Sequence, residues 1–277
     1  VMSSRYVELA PPARLTPVVG CVWTQRVGES IGDVSGGGVT FEQPILPDAC
    51  LDLVVSEQGI RVAGPATTVV TARMTPGSVT VGVRFRTGVA PAVLGVAASE
   101  LRDRTVPLVD LWGRSASALV ERCDTAAPEA WPGLLVDAVA ARLTAGRHTA
   151  DAAAVHVAGL IAERPDRPVP DLAEEVGLSE RQLRRRIDDA VGYSPRTLAR
   201  VVRFQRFLRA ARQADPSTRE LASLALSSGY ADQAHLTRES TRLAGAPPAR
   251  LLAAEAERLQ AKEPARRPNP SRHDAAA

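Results

Sequence analysis

The chain has 277 residues, 45% hydrophobic and 23% charged, with a formal net charge of +3. That length favours two domains, each large enough for its own core, and the composition is that of soluble globular protein. No apolar run approaches the roughly 18 residues a bilayer span needs, and the first residues hold no apolar secretory segment, so the expectation is a cytoplasmic protein with no membrane partner.

The charge is uneven. Residues 166–277 carry 20 basic and 15 acidic side chains, leaving −2 for the rest of the chain. A basic excess in one part is what phosphate contact requires. Lys262 is the lone lysine, so nearly all of that charge is arginine. Three cysteines, Cys21, Cys50 and Cys123, are too few and too scattered for a disulfide framework or a zinc cluster. They read as small buried hydrophobes, with a redox or alkylation sensor as the alternative.

In chain order, Val18 to Phe85 reads as short strands broken by turn residues such as Gly36-Gly37-Gly38 and Pro47-Asp48. The clearest strand is Ser78 to Arg86. Val79, Val81, Val83 and Phe85 alternate there with Thr80, Gly82, Arg84 and Arg86, which predicts one buried face. Cys21–Thr24, Leu51–Val55, Ile60–Ala63 and Thr67–Thr71 are further strands, and the spacing points to an antiparallel sandwich or small barrel. Trp23, Phe41, Val83 and Phe85 are the candidate lining of an effector pocket, with plain core as the competing reading.

Helical spacing follows: Ala90–Gly95, Ser99–Arg102 with Ser99 as a cap, Ala116–Cys123, Pro128–Leu143 and Asp151–Glu163. Leu134, Leu135, Val139 and Leu143 form an apolar stripe for the intrachain core or for a dimer face. Arg164 to Pro170 holds three prolines in seven residues and reads as the linker. The expected organisation is therefore a domain at 1–163, a linker at 164–170, a second domain at 171–262 and a disordered tail at 263–277. The fold class is α+β: mainly antiparallel β with flanking helices first, all-α second.

The second domain holds a repeated pattern. Asp171 caps a short helix whose Leu172, Ala173 and Val176 face inward, and Gly177 makes the turn. Ser179 and Gln182 have capping-box spacing. Leu183 and Ile187 fall inward, while Arg181, Arg184, Arg185 and Asp188 fall outward. Forked donors on an exposed helix suit guanine O6 and N7 in a major groove. The second unit repeats the layout: Ser217 and Glu220 as capping box, Leu221, Leu224 and Ala225 inward, Gly229 at the turn, Asp232 at the start, and Leu236 buried. Gln233, His235 and Arg238 point outward and suit base edges. Between the units runs a helix from Pro195 to about Ala214, with Leu198, Val201, Val202, Phe204 and Leu208 on its apolar side and Arg196, Arg200 and Arg203 as a basic stripe. About 20 residues at about 1.5 Å each span about 30 Å, close to one turn of B-DNA at about 34 Å. Ser179, Arg196 and Thr237 are the candidate phosphate contacts.

The motifs LSERQLRRRIDDAVGYSP, RFQRFLRAARQ, LALSSGYADQAHLTRE and GAPPARL stand in order and closely resemble the AraC/XylS family of bacterial transcription regulators. The resemblance implies two helix-turn-helix units on a connecting helix, with base contacts from positions matching Arg181, Arg184, Arg185, Gln233 and Arg238. One departure is Ser240, where the family usually has an aromatic residue, and it predicts a less tightly packed second unit. The segments ILPDACLDLVV, VAGPATT and GVRFRTGVAPAVLGVAASELRDRTVPLVDLWG resemble a sensor-type domain found ahead of such readers. In the wider family that half is often a cupin-like β domain that binds a small effector or dimerises.

The expected partners are double-stranded DNA, a small effector, and with it RNA polymerase and a second copy of the chain. An enzyme is the rival class. Four histidines, His148, His156, His235 and His273, have no metal-ligand spacing, and no phosphate loop, dinucleotide fingerprint or Gly-x-Ser-x-Gly elbow occurs. A Cys-based alkyl-transfer protein lacks its Pro-Cys-His context here. No catalytic residue, metal or cofactor is expected. Two versions of the regulator stand: one in which the β domain senses a small molecule, and one in which it only dimerises or contacts RNA polymerase.

Overall fold

The computed structural model describes residues 4–28, 40–146, 148–215 and 219–260, with side chains described up to residue 254. The glycine turn at 36–38, Ser217 of the second capping box, Lys262, His273 and the tail lie outside the described residues. Among the described residues no helix is long and apolar enough to cross a membrane.

Six antiparallel strands make one sheet: β1 (Ser4–Leu9), β2 (Val19–Val27), β4 (Asp52–Ser56), β5 (Gly59–Ala63), β7 (Val79–Phe85) and β8 (Thr105–Pro107). Their spatial order is β1-β2-β7-β4-β5-β8. A separate ribbon pairs β3 (Phe41–Ile45) with β6 (Val70–Met74). The alternation in β7 is realised: Val81, Val83 and Phe85 are fully buried, in register with Val22 of β2 and Leu53 of β4. That face packs on α1 (Ala90–Leu94), α2 (Leu108–Trp112), α3 (Arg114–Thr125) and above all α4 (Trp131–Thr144). Leu135 and Val139 of the α4 stripe are fully buried there, so the stripe belongs to the intrachain core. Ser99 lies inside a 3-10 turn, Ala98–Leu101, and makes no cap.

The opposite sheet face is not bare. Trp23 of β2 lies across Gly82 of β7, and a Cβ at Gly82 would collide with the indole, so only glycine fits beneath the ring. Gln25 of β2 donates to Gln43 of β3, which ties the ribbon to this face. Beyond Trp23, opposite Cys21, Arg84 binds Asp52 through two hydrogen bonds of 3.1 and 3.0 Å and reaches Asp48 at 3.5 Å. Burial raises the Asp52 carboxyl to about 6 although Arg84 pulls it down.

The second core is helical: α5 (Ala152–Glu163), α6 (Val169–Glu175), α7 (Glu180–Val191), α8 (Pro195–Gln213), α9 (Leu221–Ser227), α10 (Gln233–Ala244) and α11 (Pro248–Gln260). Helix α5 is part of it. Ala154, Val157, Ala158 and Ile161 are buried in the same cluster as Leu183, Ile187 and Phe204. The expected division at 164–170 falls inside this helical cluster. The proline segment is a turn within one core, with Pro165 buried, its carbonyl bound by Arg203 at 3.3 Å, and Arg206 on the carbonyls that end α5. Proline stops a helix without implying a flexible linker, and the change of core falls in the stretch between α4 and α5.

Candidate DNA-reading surface

Each half of the candidate surface is a short helix, a glycine turn and a reader helix. In the first, Leu172 and Ala173 of α6 are buried, Gly177 turns with φ 64, and α7 follows. Asp171 sits in the first turn of α6 instead of capping it, because α6 begins at Val169 after Pro168. Ser179 caps α7 as expected. Its hydroxyl accepts from Gln182 N–H at 3.3 Å, and the Gln182 side chain accepts from Ser179 N–H at 2.9 Å. The Ser179 hydroxyl is therefore engaged within the cap, beside N–H groups that attract a phosphate.

Leu183 and Ile187 are fully buried, which turns Arg181, Arg184 and Arg185 outward to solvent. Arg181 and Arg185 have no ion-pair partner among the described residues, whereas Arg184 pairs with Glu180 one turn earlier at 2.9 Å. Such an exposed pair contributes about 0.3–0.5 kcal/mol and yields readily to a guanine or phosphate. Arg185 also stands at the edge of a cavity of about 730 Å³ between α7 and the N-terminal domain, lined on the other side by Gly95, Glu100 and His148.

In the second unit Gly229 turns with φ 89, and Asp232 caps α10 by accepting from His235 N–H at 2.6 Å. Gln233 and Arg238 are exposed. His235 is half-buried: its ring meets Tyr230 edge-on at 5.3 Å and its Nδ1 accepts from Ala231 N–H at 3.5 Å. It braces the turn and leaves only its outer edge for a groove. The Thr237 hydroxyl donates to Gln233 O at 2.9 Å. Glu220 precedes α9 without a side-chain cap bond.

Helix α8 joins the units. Its 19 residues span about 29 Å at about 1.5 Å each. The expected basic stripe is corrected here. Arg196 is exposed, but Arg200 makes a two-point ion pair with Glu239 of α10, both side chains 15% exposed. Arg203 binds Pro165 O and lies 6.0 Å from the Tyr230 ring centroid. The side of α8 that carries Arg200 and Arg203 faces neighbouring helices, not solvent.

The expected pocket quartet is not brought together. Val83 and Phe85 lie in the sheet–helix core, Trp23 pairs with Gly82 on the other face, and Phe41 is on the ribbon. Cross-strand partners share a face, so Trp23 and Val83 stand on opposite sides of the sheet. Burial pushes the Cys21 thiol up to about 11 and raises Cys50 and Cys123 as well. Among the described residues no cluster of His, Cys, Asp or Glu is placed to hold a metal ion.

The family described as a helix-turn-helix domain matches residues 172–254, the span of this surface. Residues 172–254 are an AraC-type helix-turn-helix domain. The chain that carries it is a DNA-binding transcription regulator. The N-terminal part, residues 7–107, matches a domain of unknown function, DUF6597. Solved structures similar to the chain include ToxT from Vibrio cholerae, at 10% identity over 91% of this chain and 98% of that one, with a TM-score of 0.41. A ToxT structure with an unsaturated fatty acid bound is similar at 9% identity, over 91% and 94%, with a TM-score of 0.41. No curated protein matches the chain.

Proposed function

We propose that this AraC-type regulator reads two successive major-groove windows with α7 and α10, under control of a small effector bound by its N-terminal domain. The observation that carries the two-window reading is the pair of glycine-turned reader helices joined in sequence through α8, whose length is close to one turn of B-DNA. Arg181, Arg184 and Arg185 read bases in the first window, Gln233 and Arg238 in the second, with His235 as a lesser contact. Arg196, the α7 start at Ser179 and Thr237 in the second turn of α10 face phosphates. Arginine attraction to the backbone supplies sequence-independent affinity, and the forked contacts select sequence. We read the protein as a binder, not a catalyst, working in the cytoplasm.

Effector control is supported by the N-terminal domain having its own core and bonding directly to both reader helices. The version in which that domain serves a homodimer or RNA polymerase differs in one result: no metabolite then changes DNA affinity.

The test is selection from fragmented genomic DNA by the purified full-length chain at fixed salt. Two short blocks about one helical turn apart are expected. A single block, or binding without sequence preference, overturns the two-window reading.

A further inference from the structure

The N-terminal domain grips both reader helices at the same structural point, and one short segment does most of it. Each reader helix ends on a left-handed glycine: Gly192 with φ 81 closes α7, and Gly245 with φ 69 closes α10. Pro65 lies so close to Gly192 that a Cβ there would strike its ring, and Val69 Cγ1 is 3.6 Å from where a Gly245 Cβ would sit. The Tyr193 hydroxyl, one residue past Gly192, donates to Ala66 O. Val69 N–H donates to Leu243 O, near the end of α10, at 2.8 Å. Residues 65–69 thus run from the cap of one reader helix to the cap of the other. Arg102 adds a second hold on the first, donating to Gly192 O and to Asp188. A cation there also favours the negative end of the helix.

The segment is pinned in its middle. Thr67 N–H and hydroxyl both donate to the Asp103 carboxylate, at 2.6 and 2.8 Å, and Asp103 N–H donates to Pro65 O at 3.1 Å. Asp103 has φ 57, a left-handed conformation that Asp and Asn accept more readily than most residues. Neither residue lies on the reading surface.

We propose that residues 65–69, pinned by Asp103, form a bridge that fixes the separation and relative turn of the two reader helices, and so determine which operator spacing the regulator accepts. The proposal rests on the two-window reading. Helix α8 connects the two units on one side; the bridge connects the far ends of their reader helices. A change of two base pairs moves the second window by about 7 Å and turns it through about 70°. A reader held at both sides rejects that change, and a reader held at one side follows it.

The experiment measures full-length protein on duplexes carrying the two selected blocks at their native spacing and at two base pairs more or less. Wild type is expected to lose about tenfold or more in affinity when the spacing changes, as for a mismatched site. Asp103→Ala is expected to lose less than about threefold on the same shift. Asp103→Asn, which keeps an acceptor for Thr67 N–H and tolerates the backbone, restores the wild-type profile. Tyr193→Phe removes one hydroxyl from the same bridge and carries the test if Asp103→Ala does not fold; it is expected to broaden the profile in the same direction. If wild type selects two blocks and both variants keep its spacing profile, the bridge is wrong and the two-window reading stands. If wild type selects one block only, both fall together.

Discussion

The two helix-turn-helix units share a layout and differ in how completely it is filled. In the first, a reciprocal cap opens the reader helix, Leu183 and Ile187 fill its inner side, and three arginines reach solvent. In the second, one aspartate caps the reader helix and the inner side holds Ser240, fully buried and with no hydrogen-bond partner for its hydroxyl among the described residues. The Ser228 and Tyr230 hydroxyls nearby in the chain are in the same state. An unmade buried hydrogen bond costs about 1–3 kcal/mol. The second unit thus stands on weaker internal packing and leans on ties from outside: the Arg200–Glu239 pair to α8 and the Val69 bond to the N-terminal domain. One repeated motif can therefore yield a fully capped and filled reader and a less completely filled one, each also tied to the N-terminal domain.

The sharpest way to break this comparison is to cut the tie to α8. Arg200→Ala leaves the part-buried Glu239 without its partner, a loss below the roughly 3–5 kcal/mol of a fully buried pair. The expected result is a clear drop in thermal stability, with the second block lost from the selected DNA while the first is kept. Paired replacement by Met and Leu at positions 200 and 239 should recover most of the stability, since a packed apolar pair replaces a buried ion pair well. If Arg200→Ala melts like wild type, the second unit does not depend on that tie.

Next in size is the difference in reading itself. Arg185→Ala should cost about 1–3 kcal/mol at the proper site and relax the preference at one base position. Arg238→Ala should cost less, because its unit is held less firmly and is ordered partly at the expense of binding. Titrations of both variants on matched and single-mismatch duplexes decide it. A larger loss from Arg238→Ala reverses the ranking of the two units, and a uniform loss on every sequence marks either arginine as a phosphate contact. His235→Ala should act through the turn, lowering stability more than base preference, because its ring braces Tyr230 and Ala231.

What the sequence could show follows from range. The alternation of β7, the glycine turns at Gly177 and Gly229, the Ser179–Gln182 cap and the Asp232 cap are all encoded within a few residues, and all are present as read. The partners that decided the rest lie far apart in the chain. Nothing near Arg200 announces Glu239, 39 residues later, so in sequence a part-buried tie looks like a basic stripe. The prolines after α5 mark a boundary in sequence, while its buried face lies in the helical core. Trp23 and Val83 look alike in sequence because both are apolar and lie in strands. Their faces depend on register, and Trp23 opposite Gly82 instead of Val83 puts them on different sides. The bridge at 65–69 left no periodic trace, since turn segments contact through backbone groups that every sequence has.

The finest test of the comparison is Ser240. If its orphaned hydroxyl weakens the second unit, Ser240→Ala should stabilise the protein by about 1 kcal/mol, the penalty for an unmade buried hydrogen bond. It changes size little in a fully buried site, so packing should not oppose the gain. A firmer second unit should also bind the second block more tightly. Chemical denaturation and the two-block titration together check this. A gain in stability without a gain at the second block separates the unit's packing from its reading; a loss in stability means that the hydroxyl is bonded in solution and the two units are more alike inside than their sequences suggest.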